Sequence, residues 1–278
     1  MTAVIVAGNW KMNLGPRDAE LFLDAFAAVF GGSGEPADGQ ARPGGCRVAL
    51  FPPAVSLDAA RRRKAQLEES GAWGRAPALE LGVQQIHAEA DGAFTGETSA
   101  EQASQAGATL ALVGHSERRT IFHETDDMVV RRVQAAFRAG LAPMLCVGEQ
   151  LEERKAGRLE AVLLRQLEAV LSPPELRAGI RPETFSVAYE PVWAIGTGET
   201  ATPDDAAEAH AILRGCLVDR LGEEIGAAIP ILYGGSVKPA NADELLAAPE
   251  VGGLLVGGAS LDPGDFAALV GAGGRAGS

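Results

Sequence analysis

Lysine, cysteine and long apolar runs are all scarce in this sequence, and each shortage excludes something. Lysine occurs only as Lys11, Lys64, Lys155 and Lys238, and Lys plus Arg total 24 against 37 acidic residues, a net charge of −13. So acidic a chain offers no basic patch to nucleic acid or an anionic membrane, and each lysine needs a reason. Cys46, Cys146 and Cys216 are odd in number, far apart and without a C-x-x-C pair. That excludes a disulfide framework and a cysteine zinc site, and it fits a reducing cytoplasm. No stretch approaches 18 uninterrupted apolar residues, and the run at 3–7 is too short for the core of a signal peptide, so a soluble cytoplasmic protein is expected. There is no G-x-x-x-x-G-K-[ST], and no G-x-G-x-x-G after a strand, so neither an ATP P-loop nor a dinucleotide site is supported.

What is present is regular. Hydrophobic residues make up 46% of the 278 and charged residues 22%, enough apolar material for one large core. Short apolar runs at 4–6, 47–51, 79–83, 109–113, 141–147, 184–188, 229–232 and 254–256 read as strands, and helical patterns separate them. The helix at 17–30 carries two stripes at i, i+4 spacing, Leu21/Ala25/Val29 and Phe22/Phe26/Phe30. Ser56 reads as the cap of a helix to about residue 69, and Thr125 as the cap of a helix that Gly140 follows. Thr202-Pro203-Asp204-Asp205 opens another, with proline at its first position and acids behind it. Continuous apolar strands belong to a parallel sheet buried on both faces, and eight βα units in one chain predict a closed (β/α)₈ barrel, a single α/β domain over 1–278. Segments 31–45 and 70–78 read as loop insertions on the bottom face, and 271–278 as a frayed tail.

Chemistry in a barrel sits on the loops that follow the strands. Here those loops hold Gly8-Asn9-Trp10-Lys11-Met12-Asn13, Gly114-His115-Ser116-Glu117-Arg118-Arg119, Tyr233-Gly234-Gly235-Ser236-Val237 and Gly257-Gly258-Ala259-Ser260. After the sixth strand, Glu190 stands at the tip before Pro191-Val192-Trp193-Ala194-Ile195-Gly196-Thr197. A carboxylate backed by an apolar, glycine-hinged segment reads as a base under a water-excluding lid, the plain alternative being a solvated glutamate before an ordinary loop. Glycine lets backbone amides approach an anion closely, and barrels often bind phosphate on the last two loops. Ser236, Gly257 and Gly258, with Gly196 from the lid, are therefore candidate phosphate ligands.

These segments, in this order and across nearly the whole chain, resemble the signature segments of the triosephosphate isomerase family. The resemblance implies a TIM barrel that interconverts dihydroxyacetone phosphate and D-glyceraldehyde 3-phosphate through an enediolate, with no metal or organic cofactor. It implies Glu190 as the base, its pKa raised by desolvation, and His115 as a neutral imidazole beside a helix that begins at Ser116. Lys11 would supply a fixed positive charge and Asn9 a hydrogen bond. Glu117 matches a position near the lysine, and Cys146 a buried cysteine read here as a small core filler. Gly92-Ala93-Phe94-Thr95-Gly96-Glu97 resembles the loop that docks into a second subunit, which implies a homodimer. Gln85 stands where the family usually has asparagine, one methylene longer, which puts an intersubunit hydrogen bond there in question. The rival readings are another phosphate-binding barrel enzyme, or a barrel that binds the sugar phosphate without turning it over.

Overall fold

The computed structural model of the chain describes residues 4–30, 45–195 and 201–277. Eight strands, β1 (Val4–Asn9), β2 (Cys46–Phe51), β3 (Leu79–Val83), β4 (Leu110–Val113), β5 (Ala142–Val147), β6 (Ser186–Tyr189), β7 (Ile231–Tyr233) and β8 (Gly253–Val256), close into a barrel in sequence order. Every pairing is parallel, and β8 returns to β1 with Val6 opposite Leu254. Side chains alternate across such strands. Ile5, Ala7, Ala49, Phe51, Leu112, Met144, Cys146, Ala188 and Leu232 therefore fill the barrel, while Val4, Val6, Val48 and Leu50 face the helices.

The outer layer comprises α1 (Pro16–Phe30), α2 (Ala54–Glu69), α3 (Ala100–Gln105), α4 (Ser116–Thr120), α5 (Asp126–Arg138), α6 (Leu151–Lys155) and α7 (Leu159–Leu171). It continues with α8 (Pro174–Gly179), α9 (Pro203–Leu221), α10 (Glu223–Gly226), α11 (Ala242–Leu246) and α12 (Pro263–Ala276). Two caps form as their sequences predict. The Thr125 hydroxyl accepts from the Met128 N–H, and Thr202 and Asp205 form a reciprocal capping box.

Three expectations are corrected. The stripes on α1 lie on adjacent faces of the helix, so only one can meet the core. Phe22 and Phe26 are buried in an aromatic cluster with Trp10, Trp73 and Phe266, while Leu21 and Val29 are exposed. Ser56 is no cap. α2 starts two residues earlier, after Pro53, and the buried Ser56 hydroxyl donates to the Leu14 carbonyl at 2.8 Å. The segment 271–277 is docked, not frayed. α12 runs to Ala276 with Ala272, Gly273 and Gly274 buried, and a Cβ on Gly273 would lie 2.6 Å from Val6 Cγ2. Lack of a side chain lets this turn lie flat on β1.

The loop at 70–78 is built on a buried Trp73 whose indole N–H donates to the Pro77 carbonyl at 3.1 Å. Of 31–45, only Gly45 is among the described residues.

Candidate active site

β1 delivers Asn9 and then a strained turn. Lys11 has φ +51°, a left-handed conformation that costs a side-chain-bearing residue energy and needs support from around it. The support is visible. The Asn9 side-chain oxygen accepts from the Lys11 N–H at 3.0 Å, and the Gln84 amide donates to the carbonyls of both Lys11 and Phe51 at 2.8 Å. So held, the ammonium lies 2.7 Å from Glu117 Oε1.

β4 delivers His115, buried and acting as the N-cap of α4. Its Nδ1 accepts from the Glu117 N–H at 3.3 Å, which assigns the ring hydrogen of the neutral imidazole to Nε2. Nε2 lies 2.9 Å from Glu190 Oε1.

β6 delivers Glu190, 2% exposed. Besides His115, its carboxylate accepts from the Ser116 N–H at 2.9 Å and the Ser116 hydroxyl at 3.2 Å. Burial pushes the Glu190 carboxyl up, but the His115 imidazole and the Ser116 N–H more than offset it, so the pKa lies below its ordinary value. The expected upward shift is thus reversed in this resting arrangement, because the donors supplied by the β4 loop outweigh desolvation. Burial opposes charge on His115, yet the Glu190 carboxylate against Nε2 pulls the ring above its ordinary value. Cys146 is buried beneath, its thiol pushed up by burial.

Asn9, Lys11, His115, Glu190, Ile195, Ser236, Gly257 and Gly258 line one cavity of about 550 Å³. The sequence-predicted groups from five loops are therefore brought together, and Gly234, Lys238 and Asp265 join them. Of the segment after Glu190, Pro191 to Ile195 are described; Gly196 and Thr197 lie outside the described residues. Val192–Ala194 form a 3₁₀ turn. The Trp193 indole donates to Glu149 Oε1 at 2.7 Å, and the Ser236 hydroxyl to the Ala194 carbonyl at 2.9 Å. Ser116 and Gln84 escaped the sequence reading of the site. Ser116 follows His115 at a strand-to-helix junction, where a free N–H points outward, and that was the available signal. Among the described residues, no His/Cys/Asp/Glu cluster is arranged to hold a metal ion.

The loop 92–97 projects, with Phe94 42% exposed and packed against His87 at 4.1 Å between ring centres, the two rings tilted by 36°. Gln85 reaches Glu97 of its own chain at 2.8 Å.

The family model described as triosephosphate isomerase matches residues 4–273. A triosephosphate isomerase of Caulobacter vibrioides is 47% identical over 266 residues, covering 96% of this chain and 95% of that one. One of Solibacter usitatus is 41% identical over 273 residues, covering 97% and 99%. The crystal structure of triosephosphate isomerase from Bartonella henselae superposes with a TM-score of 0.78 at 40% identity, covering 96% of this chain and 97% of that one.

Proposed function

This chain belongs to the triosephosphate isomerase family, and from that premise we propose which of its residues carry the isomerisation. The enzyme interconverts dihydroxyacetone phosphate and D-glyceraldehyde 3-phosphate, a step of glycolysis and gluconeogenesis. Glu190 takes a proton from the carbon beside the carbonyl and returns it to the neighbouring carbon. The electron pair left behind moves into the carbonyl, giving an enediolate. His115 Nε2–H hydrogen-bonds the oxygens that gain charge, and the Lys11 ammonium and Asn9 amide stabilise the same charge. The observation that carries this reading is the shared cavity. Asn9, Lys11, His115 and Glu190 come from three distant loops and line one space of about 550 Å³, in the size range of small-ligand sites.

The resting hydrogen bonds are compatible with this chemistry. Substrate oxygens that take over the His115 donor release Glu190 from its imidazole partner. Burial then prevails and raises the carboxyl toward the range a base needs. The same exchange removes the carboxylate that favours imidazolium. His115 is left buried at a helix start with an N–H aimed at Nδ1, as a neutral ring.

Ser236, Gly257 and Gly258 hold the phosphate through backbone amides, joined by Gly196 when the segment Pro191 to Thr197 shuts over the substrate and keeps water from the enediolate. A homodimer through Phe94 to Glu97 is supported by that loop's exposed phenyl ring and by a second exposed apolar side chain, Met12 on the β1 loop, 95% exposed. A cytoplasmic location is supported by the odd number and wide spacing of Cys46, Cys146 and Cys216, which suit a reducing compartment. A coupled assay of glyceraldehyde 3-phosphate turnover tests the assignment. Glu190→Ala is expected to lose activity by several orders of magnitude, and a variant that binds and turns over substrate normally would remove Glu190 from the reaction.

A further inference from the structure

The backbone beneath Glu190 is held by a side chain of α7 that is not part of the lining of the cavity shared by Lys11, His115 and Glu190. β5 stays paired with the β6 chain beyond its last strand residue. The Val147 carbonyl accepts from the Glu190 N–H at 2.8 Å, and the Glu149 carbonyl from the Val192 N–H at 3.2 Å. Gly148 lies between these two residues, so its own N–H and C=O point to the other edge of the strand. There β4 would pair with it, but β4 ends at Val113, opposite Leu145. Two backbone groups of this half-buried residue would be left without protein partners next to the base.

Gln166 of α7 fills both vacancies with one amide. Its Oε1 accepts from the Gly148 N–H at 2.8 Å and its Nε2 donates to the Gly148 carbonyl at 3.1 Å. Gln166 is 4% exposed. On its opposite side Gly148 presses directly on the base-bearing residue, since a Cβ there would sit 1.8 Å from the Glu190 carbonyl oxygen. The clamp borders a cleft of about 380 Å³ whose lining also includes Ser116 and Glu190, so a shift of the Gly148 backbone has room to develop beside the base.

We propose that Gln166 is a positioning residue for the isomerisation, clamping Gly148 so that the Glu190 main chain, and with it the carboxylate, keeps its reach to the substrate carbon. The inference rests on the reading of Glu190 as the base. It sets Gln166 apart from its apolar neighbours on α7, which hold the helix to the barrel and not the strand end to Glu190. A displacement of the order of 1 Å at a reacting group costs up to about a hundredfold in rate. A partial relaxation at Gly148 should then cost about tenfold.

The test compares Gln166→Leu, Gln166→Glu, Leu163→Ala and Glu190→Asp with the wild-type enzyme, kcat and KM being measured well below each Tm. Leu163 is fully buried on the same helix and serves as the control for simple loss of stability. Gln166→Leu is expected to lower kcat about tenfold while KM stays within about twofold, because the groups that bind phosphate are untouched. Leu163→Ala should lower Tm and leave kcat alone. In Gln166→Glu an ionised carboxylate accepts from the Gly148 N–H but faces its carbonyl without a hydrogen, and protonation restores the second bond. The kcat of that variant relative to wild type should therefore rise as pH falls from 8 to 6.

A kcat for Gln166→Leu no lower than that of Leu163→Ala overturns the inference, as does a loss confined to KM. Should Gln166→Leu fail to fold, a flat Gln166→Glu ratio across that pH range overturns it instead. Full turnover by Glu190→Asp would sink the assignment of the base and this inference with it. A dead Glu190→Asp beside a fully active Gln166→Leu would sink the inference alone.

Discussion

Both ends of the barrel carry buried or half-buried charge, and they use it differently. At the N-terminal end Arg47 and Glu80, on adjacent strands, face each other as a fork, with bonds of 3.0 and 3.2 Å and side chains 34% and 33% exposed. Each group there completes the other and links β2 to β3 at their lower ends. At the mouth the charges come from loops. Lys11 meets Glu117 across 106 residues of sequence, and Glu190 is held by Ser116 from 74 residues away. Among the described residues Glu190 meets no arginine fork, only single donors that a ligand's oxygens can draw away from it. A pair closed on itself holds a barrel shut, whereas groups with exchangeable partners are available for chemistry.

The comparison breaks first, and by the largest margin, at Glu190. Glu190→Asp withdraws the carboxylate by one methylene, and kcat is expected to fall by about 10³-fold with little change in KM. Glu80→Asp makes the same chemical change at the other end, and its kcat should match wild type. A coupled assay on both variants reads the difference, and equal losses would erase the distinction between the two ends.

Lys11→Met comes next. It removes the one fixed positive charge from the β1 loop, and kcat/KM should drop by about 10²-fold. Glu117, left without its partner, has a side chain 41% exposed and is solvated, so urea midpoints should barely change. Unchanged kcat and KM would remove Lys11 from the reaction.

Much of this was legible in the sequence because it is local. Thr125 and the Thr202-Pro203-Asp204-Asp205 run cap helices through neighbours within a few residues, and eight apolar strands read directly as a parallel barrel. Asn9, Lys11, His115 and Glu190 stood out as chemically rare residues at strand ends. What escaped depends on partners distant in sequence. The inward stripe of α1 is chosen by Phe266, some 240 positions away, and the resting pKa of Glu190 by donors on the β4 loop. Desolvation can be read from apolar neighbours along the chain. The compensating hydrogen bonds cannot, and neither can the Gln84 and Gln166 amides that hold loop backbones in place.

Away from the mouth, charge acts through stability, and His210 sharpens that side of the contrast. This ring on α9 is fully buried, with Nδ1 3.0 Å from the Glu250 carbonyl and Nε2 without a hydrogen-bond partner among the described residues. Burial pushes its pKa down from 6.5 to about 4. Between those values the unfolded chain binds a proton that the folded chain refuses, so the stability His210 contributes is present above pH 6.5 and is lost as pH falls toward 4. Acidification from pH 7.5 to 5 should cost the wild type about 2 kcal/mol through this residue. His210→Asn should lose correspondingly less over the same interval in urea unfolding. Parallel pH dependence in the two proteins would remove His210 from acid unfolding.

The smallest effect belongs to the fork at the bottom. Arg47→Met leaves Glu80 one-third exposed, able to regain water, so the unpaired carboxylate is not stranded. The loss is that of a partly solvated ion pair with good geometry, about 1 kcal/mol or less, and it should shrink further in high salt. Thermal unfolding at low and high salt measures it, and kcat should stay within about twofold of wild type because β2 and β3 remain paired through Ala49 and Glu80. A loss of activity as large as that in Lys11→Met would mean that the barrel transmits the state of its lower end to the mouth. The two ends would then form one cooperative unit, and the division between a closed pair that holds the fold and open groups that do the chemistry would fail.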